Sequence, residues 1–260
     1  MVSFLEKINI ILRLMRVFKN WYIFPSIYLK LTKNETVIFE TKKGTKMKIR
    51  VNSTDLMALI NVWAVEEYSN EEFKIKNNDT VIDIGGHIGL FSLYASEKCK
   101  SGKIFTFEPV KENFDLLKEN IKINNIKNIY PKNIAVSNNN SNITIFLSND
   151  QSGHGMYKKT SKSRNIKSTN LEEICLENEI KNCNLLKIDA EGAEFEILEN
   201  INEKINEKIK NIILEYHIFE KNSNERLKNI IKKLETNNFE INKKPYSDEI
   251  GLVYAIKKLS

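Results

Sequence analysis

The rhythm of apolar and polar positions changes along this chain. Over residues 4–20, Phe4, Leu5, Ile8, Ile11, Leu12, Met15 and Phe18 share one stripe, and Glu6, Asn9, Arg13, Arg16 and Asn20 lie opposite. That spacing predicts an amphipathic helix. Val37-Ile38-Phe39-Glu40 and Met47-Lys48-Ile49-Arg50-Val51 flank a Lys-Lys-Gly44 turn and predict a hairpin. Leu56, Leu59, Ile60 and Trp63 then predict a helix near 54–68. From residue 79 short, nearly continuous apolar runs alternate with helical segments. The runs are 81–84, 103–107, 134–136, 185–188 and 212–214; the helices are 89–98, 111–124 and 193–200. Strands of this kind belong to a parallel sheet covered on both faces. Residues 143–147 predict an extra strand, and 151–168 a polar loop or lid. A helix at 225–236 leads to strands near 238–242 and 251–257 that can pair antiparallel at the sheet end. The expected organisation is an N-terminal helix, hairpin and cap helix over 1–75, followed by one α/β domain over 76–260.

Composition narrows the reading. The chain has 260 residues, 41% of them hydrophobic, which suffices for one large α/β domain. No apolar run reaches the ~18 residues that span a bilayer. Arg13 and Arg16 interrupt the first segment, which also lacks a small-residue cleavage site and is not read as a signal peptide. Cys99, Cys175 and Cys183 have no metal-type spacing, so free thiols in a reducing, cytoplasmic compartment are expected. The net charge of +6, from 40 Lys+Arg against 34 Asp+Glu, is diffuse and does not point to nucleic acid. The first helix can pack on its own domain or on a second copy of the chain. Alternatively, with Arg13, Arg16, Lys19, Trp21 and Tyr22, residues 4–22 can lie peripherally on the inner membrane surface.

Four strand ends carry chemistry. In Val81-Ile82-Asp83-Ile84-Gly85-Gly86-His87-Ile88-Gly89 a buried strand enters a glycine turn and then a helix, so a ligand can approach the backbone at the helix start. The dinucleotide fingerprint fails, because it requires glycine at His87 and Leu90. The phosphate-loop motif fails too, because no G-K-[ST] follows. The spacing is D-x-G-x-x-x-G, and an acid there suits a cofactor with a cationic amino-acid portion. Glu108, in Phe107-Glu108-Pro109, ends the next strand and can accept both hydroxyls of a ribose. Asp189 and Glu191 end a third strand in Leu186-Lys187-Ile188-Asp189-Ala190-Glu191-Gly192-Ala193-Glu194. Glu215 and His217 stand at alternate positions ending a fourth. All should converge on one sheet edge, where open α/β folds bind ligands.

These motifs, with Ile134-Ala135-Val136-Ser137-Asn138, make residues 79–217 resemble the FkbM family of S-adenosylmethionine-dependent methyltransferases. The pattern departs from the family at Asn200, where glycine is common, and in Val65-Glu66-Glu67-Tyr68, which only approximates the usual Tyr-Glu element. The resemblance implies a Rossmann-like, seven-stranded, mostly parallel sheet with one antiparallel strand and helices on both faces. It implies that Asp83, Gly85, Gly86, His87 and Gly89 form the pocket for the methionine portion, that Glu108 holds the ribose, and that Ala135 and Val136 lie beside the adenine. Asp189 would face the sulfonium and the acceptor.

The expected reaction is methyl transfer to a hydroxyl of a sugar, glycan or glycolipid. His217 is the first candidate base, since its ordinary pKa lies near neutrality, with Asp189 and Glu191 as alternates. His154, between Gly153 and Gly155, is a candidate on the lid, and the basic run over 158–164 suits an anionic or membrane-linked acceptor. Asp189, Glu191, Glu215 and His217 have the chemistry to hold Mg²⁺ with a diol, but acids near a sulfonium have another explanation, so no metal site is assigned. A non-catalytic cofactor-binding protein and, more remotely, an NAD-dependent oxidoreductase are the competing readings. No N-P-P-[YF] motif points to a nucleic-acid base as acceptor.

Overall fold

A computed structural model describes residues 4–70, 72–138, 140–146, 163–219 and 221–258. The N-terminal part holds α1 (Phe4–Val17), α2 (Ile23–Tyr28), the hairpin β1 (Thr36–Glu40) and β2 (Lys46–Arg50), and α3 (Asp55–Leu59). A π-helical turn over Ile60–Val65 continues α3 and stops at Glu66, whose φ of 55° is left-handed. Next come β3 (Thr80–Ile84), α4 (Leu90–Lys98), β4 (Lys103–Phe107), α5 (Lys111–Ile123), β5 (Ile129–Lys132), β6 (Ala135–Val136) and β7 (Asn142–Phe146). They are followed by β8 (Ser163–Thr169), α6 (Leu171–Glu177), β9 (Leu185–Ile188), α7 (Glu194–Glu199) and α8 (Glu203–Lys208). The last elements are β10 (Asn211–His217), α9 (Ser223–Thr236), β11 (Phe239–Pro245) and β12 (Ile250–Lys257).

The main sheet has seven strands in the order β11-β12-β10-β9-β3-β4-β5. Only β12 runs against its neighbours, as the resemblance implied. Every residue of β9 is buried, and β3 and β4 expose only their first positions. Their side chains therefore divide between two cores by alternation. Ile82, Ile84, Phe105, Phe107, Leu186 and Leu214 pack with Phe195, Leu227 and Ile230 from α7 and α9. Val81, Ile104, Leu185 and Ile213 face the other way, onto α4 and onto Leu14, Phe18, Phe39, Met47 and Trp63 of the N-terminal part. Residues before 75 thus share one apolar cluster with the sheet.

Some expectations need correction. The strand at 134–136 is not in the main sheet: Ala135 and Val136 pair with β8, and β7 pairs with β8 on its other side. The edge place belongs to β5, Ile129-Tyr130-Pro131-Lys132, where only Ile129 is buried. An edge strand needs no second apolar face and tolerates a proline, so it left no apolar run to read. The predicted loop at 151–168 is partly strand, since β8 begins at Ser163; residues 151–162, with His154, lie outside the described residues. The first helix ends three residues early. Its packed face carries Leu14 and Phe18, with Ile10 and Val17 at its edge, whereas the predicted stripe members Ile8, Leu12 and Met15 are exposed. Cys99, Cys175 and Cys183 are buried free thiols.

Candidate active site

The chain leaves β3 and returns at β4 on one side and, later, at β9 on the other, so the sheet's switch point lies between β3 and β9. Ile84 pairs with both Phe107 and Ile188, and Ile188 with Leu214. The residues that follow are therefore level at one edge: Gly85, Glu108, Asp189 and Glu215. A cavity of about 490 Å³ opens there.

The glycine turn is set by crowding. A Cβ on Gly85, whose φ is +75°, would sit 1.7 Å from the carbonyl oxygen of Asp189, and one on Gly86 would sit 2.3 Å from Thr106 Cγ2. The Phe107 carbonyl accepts both the Gly85 and Gly86 amides at 3.0 Å. His87 follows at φ 49°, and its amide donates to Glu108 Oε2 at 2.7 Å; the Val110 amide donates to Oε1 at 2.8 Å. Glu108 is thereby aimed into the cavity with lone pairs to spare. Burial pushes its pKa up to about 7 against the pull of those amides. Gly85, Gly86, His87 and Glu108 all line the cavity; among them His87 stays neutral, its pKa pushed down to about 4 by burial. Its Nε2 lies 3.3 Å from Asp55 Oδ1. Asp55 in turn clamps Arg50 through Nε and an Nη at 2.8 Å each. Gly89 caps α4 at φ 88° behind this wall.

Ala135 and Val136 line the next part, together with Ile143 and Ile145 of β7. This apolar patch beside Glu108 suits a flat heterocycle. The two isoleucines were missed, since an exposed-looking alternating strand gives no hint of what its inner face covers.

Asp83 does not line the cavity. It is fully buried; Oδ2 accepts the Ser92 hydroxyl at 2.6 Å, and Oδ1 lies 3.3 Å from the Lys187 ammonium. Lys187 is the group that reaches the cavity. It donates to the Gly85 carbonyl at 3.0 Å and lies 3.4 Å from Asp189 Oδ2. Burial disfavours its charge, but Asp83, Asp189 and Glu215 outweigh that and hold it protonated. Lys187 reads from sequence as a stray polar residue in a buried strand. That mismatch was the available signal.

The far wall holds Asp189, Glu191, Glu215 and His217, with Glu67 and Tyr68, which the sequence marked only as an approximate Tyr-Glu element and not as site residues. The Tyr68 hydroxyl donates to Glu215 Oε2 at 2.7 Å. Glu194, which lies behind the wall and is fully buried, takes His217 Nδ1 at 2.9 Å through Oε1 and the Gly192 amide at 2.7 Å through Oε2. Burial and neighbouring carboxylates push Glu67 up to about 8, Glu191 to about 8 and Glu215 to about 7. For His217 burial works downward, but the Glu194 hydrogen bond and the charges of Glu194, Glu191 and Asp189 prevail and raise it to about 10. In this wall His217 is an imidazolium at neutral pH, which runs against its expected role as the base. Arg164, from the predicted basic lid, is turned instead to Glu112, with hydrogen bonds of 2.8 and 2.6 Å.

The chain has relatives among known proteins. The sequence profile of the methyltransferase FkbM domain matches residues 83–241, more than half of the chain. Methyltransferase 1 of Beauveria bassiana is 22% identical over 157 residues, which cover 52% of this chain and 63% of that protein. The hexuronic acid methyltransferase AglP of Haloferax volcanii is 26% identical over 164 residues, covering 60% of this chain and 66% of AglP. The chain thus spans just under two thirds of the length of these two relatives. In fold it is similar to the crystal structure of a methyltransferase FkbM from Methylobacillus flagellatus KT. That match has a TM-score of 0.53 and 16% identity, covering 77% of this chain and 53% of the other.

Proposed function

The chain belongs to the FkbM methyltransferase family, and we propose that it moves the methyl group of S-adenosylmethionine to a hydroxyl oxygen of a sugar, free or within a glycan or glycolipid. One observation carries the reading: the cavity has two unlike halves. Glu108 beside Ala135, Val136, Ile143 and Ile145 suits a ribose and its adenine. The wall of Asp189, Glu191, Glu215 and His217 suits a hydroxyl that must lose a proton. Gly85, Gly86 and His87 floor the space between, where the methionine portion fits. Asp83 acts from below, by holding Lys187 at the Gly85 carbonyl and beside Asp189.

In the reaction the acceptor oxygen attacks the methyl carbon in line. The carbon–sulfur bond breaks, its electron pair stays on sulfur, and S-adenosylhomocysteine leaves. The donor is already activated, so alignment in a water-poor cavity is the protein's main contribution. The hydroxyl proton passes to a carboxylate of the acid wall. Glu215 is the best placed, because the Tyr68 hydroxyl fixes one of its oxygens and the side chain opens on the cavity. AglP, a relative named for hexuronic acid, supports the sugar class.

The test is calorimetry with S-adenosylhomocysteine followed by methylation assays on a panel of sugars and uronic acids. Glu108→Ala should abolish binding. Glu215→Gln should bind normally and lose about a hundredfold or more in turnover. Binding of NADH in place of S-adenosylhomocysteine, or binding without turnover on any hydroxyl acceptor, would overturn the reading.

We propose further that the chain works at a membrane surface. Among the described residues no helix is long and apolar enough to cross a membrane. Ile8, Leu12 and Met15 stand exposed on α1, and Tyr22 is exposed after it. With Arg16 close by, this face suits an anionic lipid surface, whereas Arg13 donates to the Ala64 carbonyl at 3.2 Å.

A further inference from the structure

The ends of β9 and β10 gather more charge than proton removal uses. Asp189, Glu191 and His217 each offer one ligand atom, and these atoms all lie within 4.8 Å of one another. The histidine is already oriented. Glu194 takes its Nδ1 at 2.9 Å and is itself tied to the Gly192 amide, so Nε2 is aimed into the cluster. There, among the described residues, it meets Glu191 Oε2 at 3.8 Å and Glu215 Oε1 at 4.0 Å, both beyond hydrogen-bond reach. The His217 side chain is only 5% exposed. The ring is otherwise enclosed, so Nε2 is the edge it presents to the cavity, free to take a ligand there. Metal-binding histidines characteristically give their other ring nitrogen to a carboxylate, which is the part Glu194 plays.

We propose that Asp189, Glu191 and His217, whose Nε2 proton the ion displaces, form a binding site for a divalent cation of the Mg²⁺ and Mn²⁺ class. Two carboxylates with one imidazole suit such ions, and nothing in the set is a thiolate that would select a softer metal. Three protein ligands leave a six-coordinate ion with open positions on the cavity side, for water or for an acceptor's oxygens. A cation there also relieves the mutual repulsion of Asp189, Glu191 and Glu215. Glu194 is a positioning residue, since it acts through His217. The site rests on this geometry alone and stands apart from the identity of the methyl acceptor.

The probe is Mn²⁺, titrated into the full chain while free ion is followed by electron paramagnetic resonance, with and without S-adenosylhomocysteine. One Mn²⁺ per chain is expected. Glu191→Gln and His217→Ala should each weaken binding at least tenfold, and Glu194→Gln by roughly 10–100-fold. Glu191 is more exposed than His217 or Glu194, so its variant disturbs the packing least, and circular dichroism checks all of them. A wild-type chain that holds no more Mn²⁺ than Glu191→Gln overturns the site. Calorimetry with S-adenosylhomocysteine on the same samples separates the two questions. Nucleoside binding without Mn²⁺ sinks the cation alone. Mn²⁺ binding without nucleoside keeps the cation and sinks the cofactor reading.

Discussion

Replacing Lys187 with methionine keeps most of the side chain's length and removes its charge, leaving the Asp83 carboxylate buried without a counter-charge. In the native chain the two groups stand 3.3 Å apart, with side-chain exposures of 3% and 0%. Their attraction at that distance is about 5 kcal/mol for an effective dielectric constant near 20. The cost of burying both charges offsets most of it, so the pair is worth little against an apolar replacement. Removing one member alone is different, and costs about 3–5 kcal/mol. Lys187→Met should therefore lower the unfolding free energy by about that amount, read as a lower urea midpoint at unchanged slope. Asp83→Asn/Lys187→Met removes both charges while leaving a side chain that still partners Ser92, and should recover most of the loss. S-adenosylhomocysteine affinity should fall in Lys187→Met, because the ammonium also holds the Gly85 carbonyl at 3.0 Å. A loss below about 1 kcal/mol, or a double variant no more stable than Lys187→Met, would refute the reasoning and return Asp83 to direct contact with the cofactor.

Three further outcomes are expected. Glu108 holds its proton up to about pH 7 against an ordinary value of 4.5. Its contribution to stability is full below pH 4.5 and lost as pH rises through 7, so the wild type should lose about 3 kcal/mol relative to Glu108→Gln over that window. Parallel pH profiles of the two proteins in urea would contradict this. Gly85→Ala places a methyl group 1.7 Å from the Asp189 carbonyl oxygen at a left-handed φ; it should cost several kcal/mol and at least tenfold in S-adenosylhomocysteine affinity, and native behaviour would show the β3 and β9 turns to be farther apart. Leu12→Ser with Met15→Ser, both at exposed positions, should leave urea unfolding unchanged and reduce co-sedimentation with anionic vesicles; equal pelleting would remove the membrane contact.

How much was legible beforehand follows from which interactions are local. Val81-Ile82-Asp83-Ile84, Lys103-Ile104-Phe105-Thr106-Phe107 and Leu185-Leu186-Lys187-Ile188 announced central strands because both their faces are buried, and continuous apolar runs have few other uses. Glycines and acids immediately after them marked the sheet's carboxyl edge, since that edge is where such strands end by construction. The edge strand β5 was not legible, because with one buried residue it writes no pattern. The packed face of α1 was misread for a related reason: Ile8, Leu12 and Met15 are as apolar as Ile10, Leu14 and Val17, and only the surface they meet distinguishes them.

By itself, then, the sequence determined the central strands with their flanking helices, the parallel sheet and the acids and glycines that end those strands, since these depend on periodicity and on the chain's local direction. Only the tertiary structure decided what each of those residues does. It turned Asp83 away from the cavity onto Lys187, set Glu194 behind His217, and brought Tyr68 across to Glu215. Ion pairs and buried hydrogen bonds join groups 104, 23 and 147 positions apart in these three cases. Their energies depend on distance and burial, which no local pattern encodes.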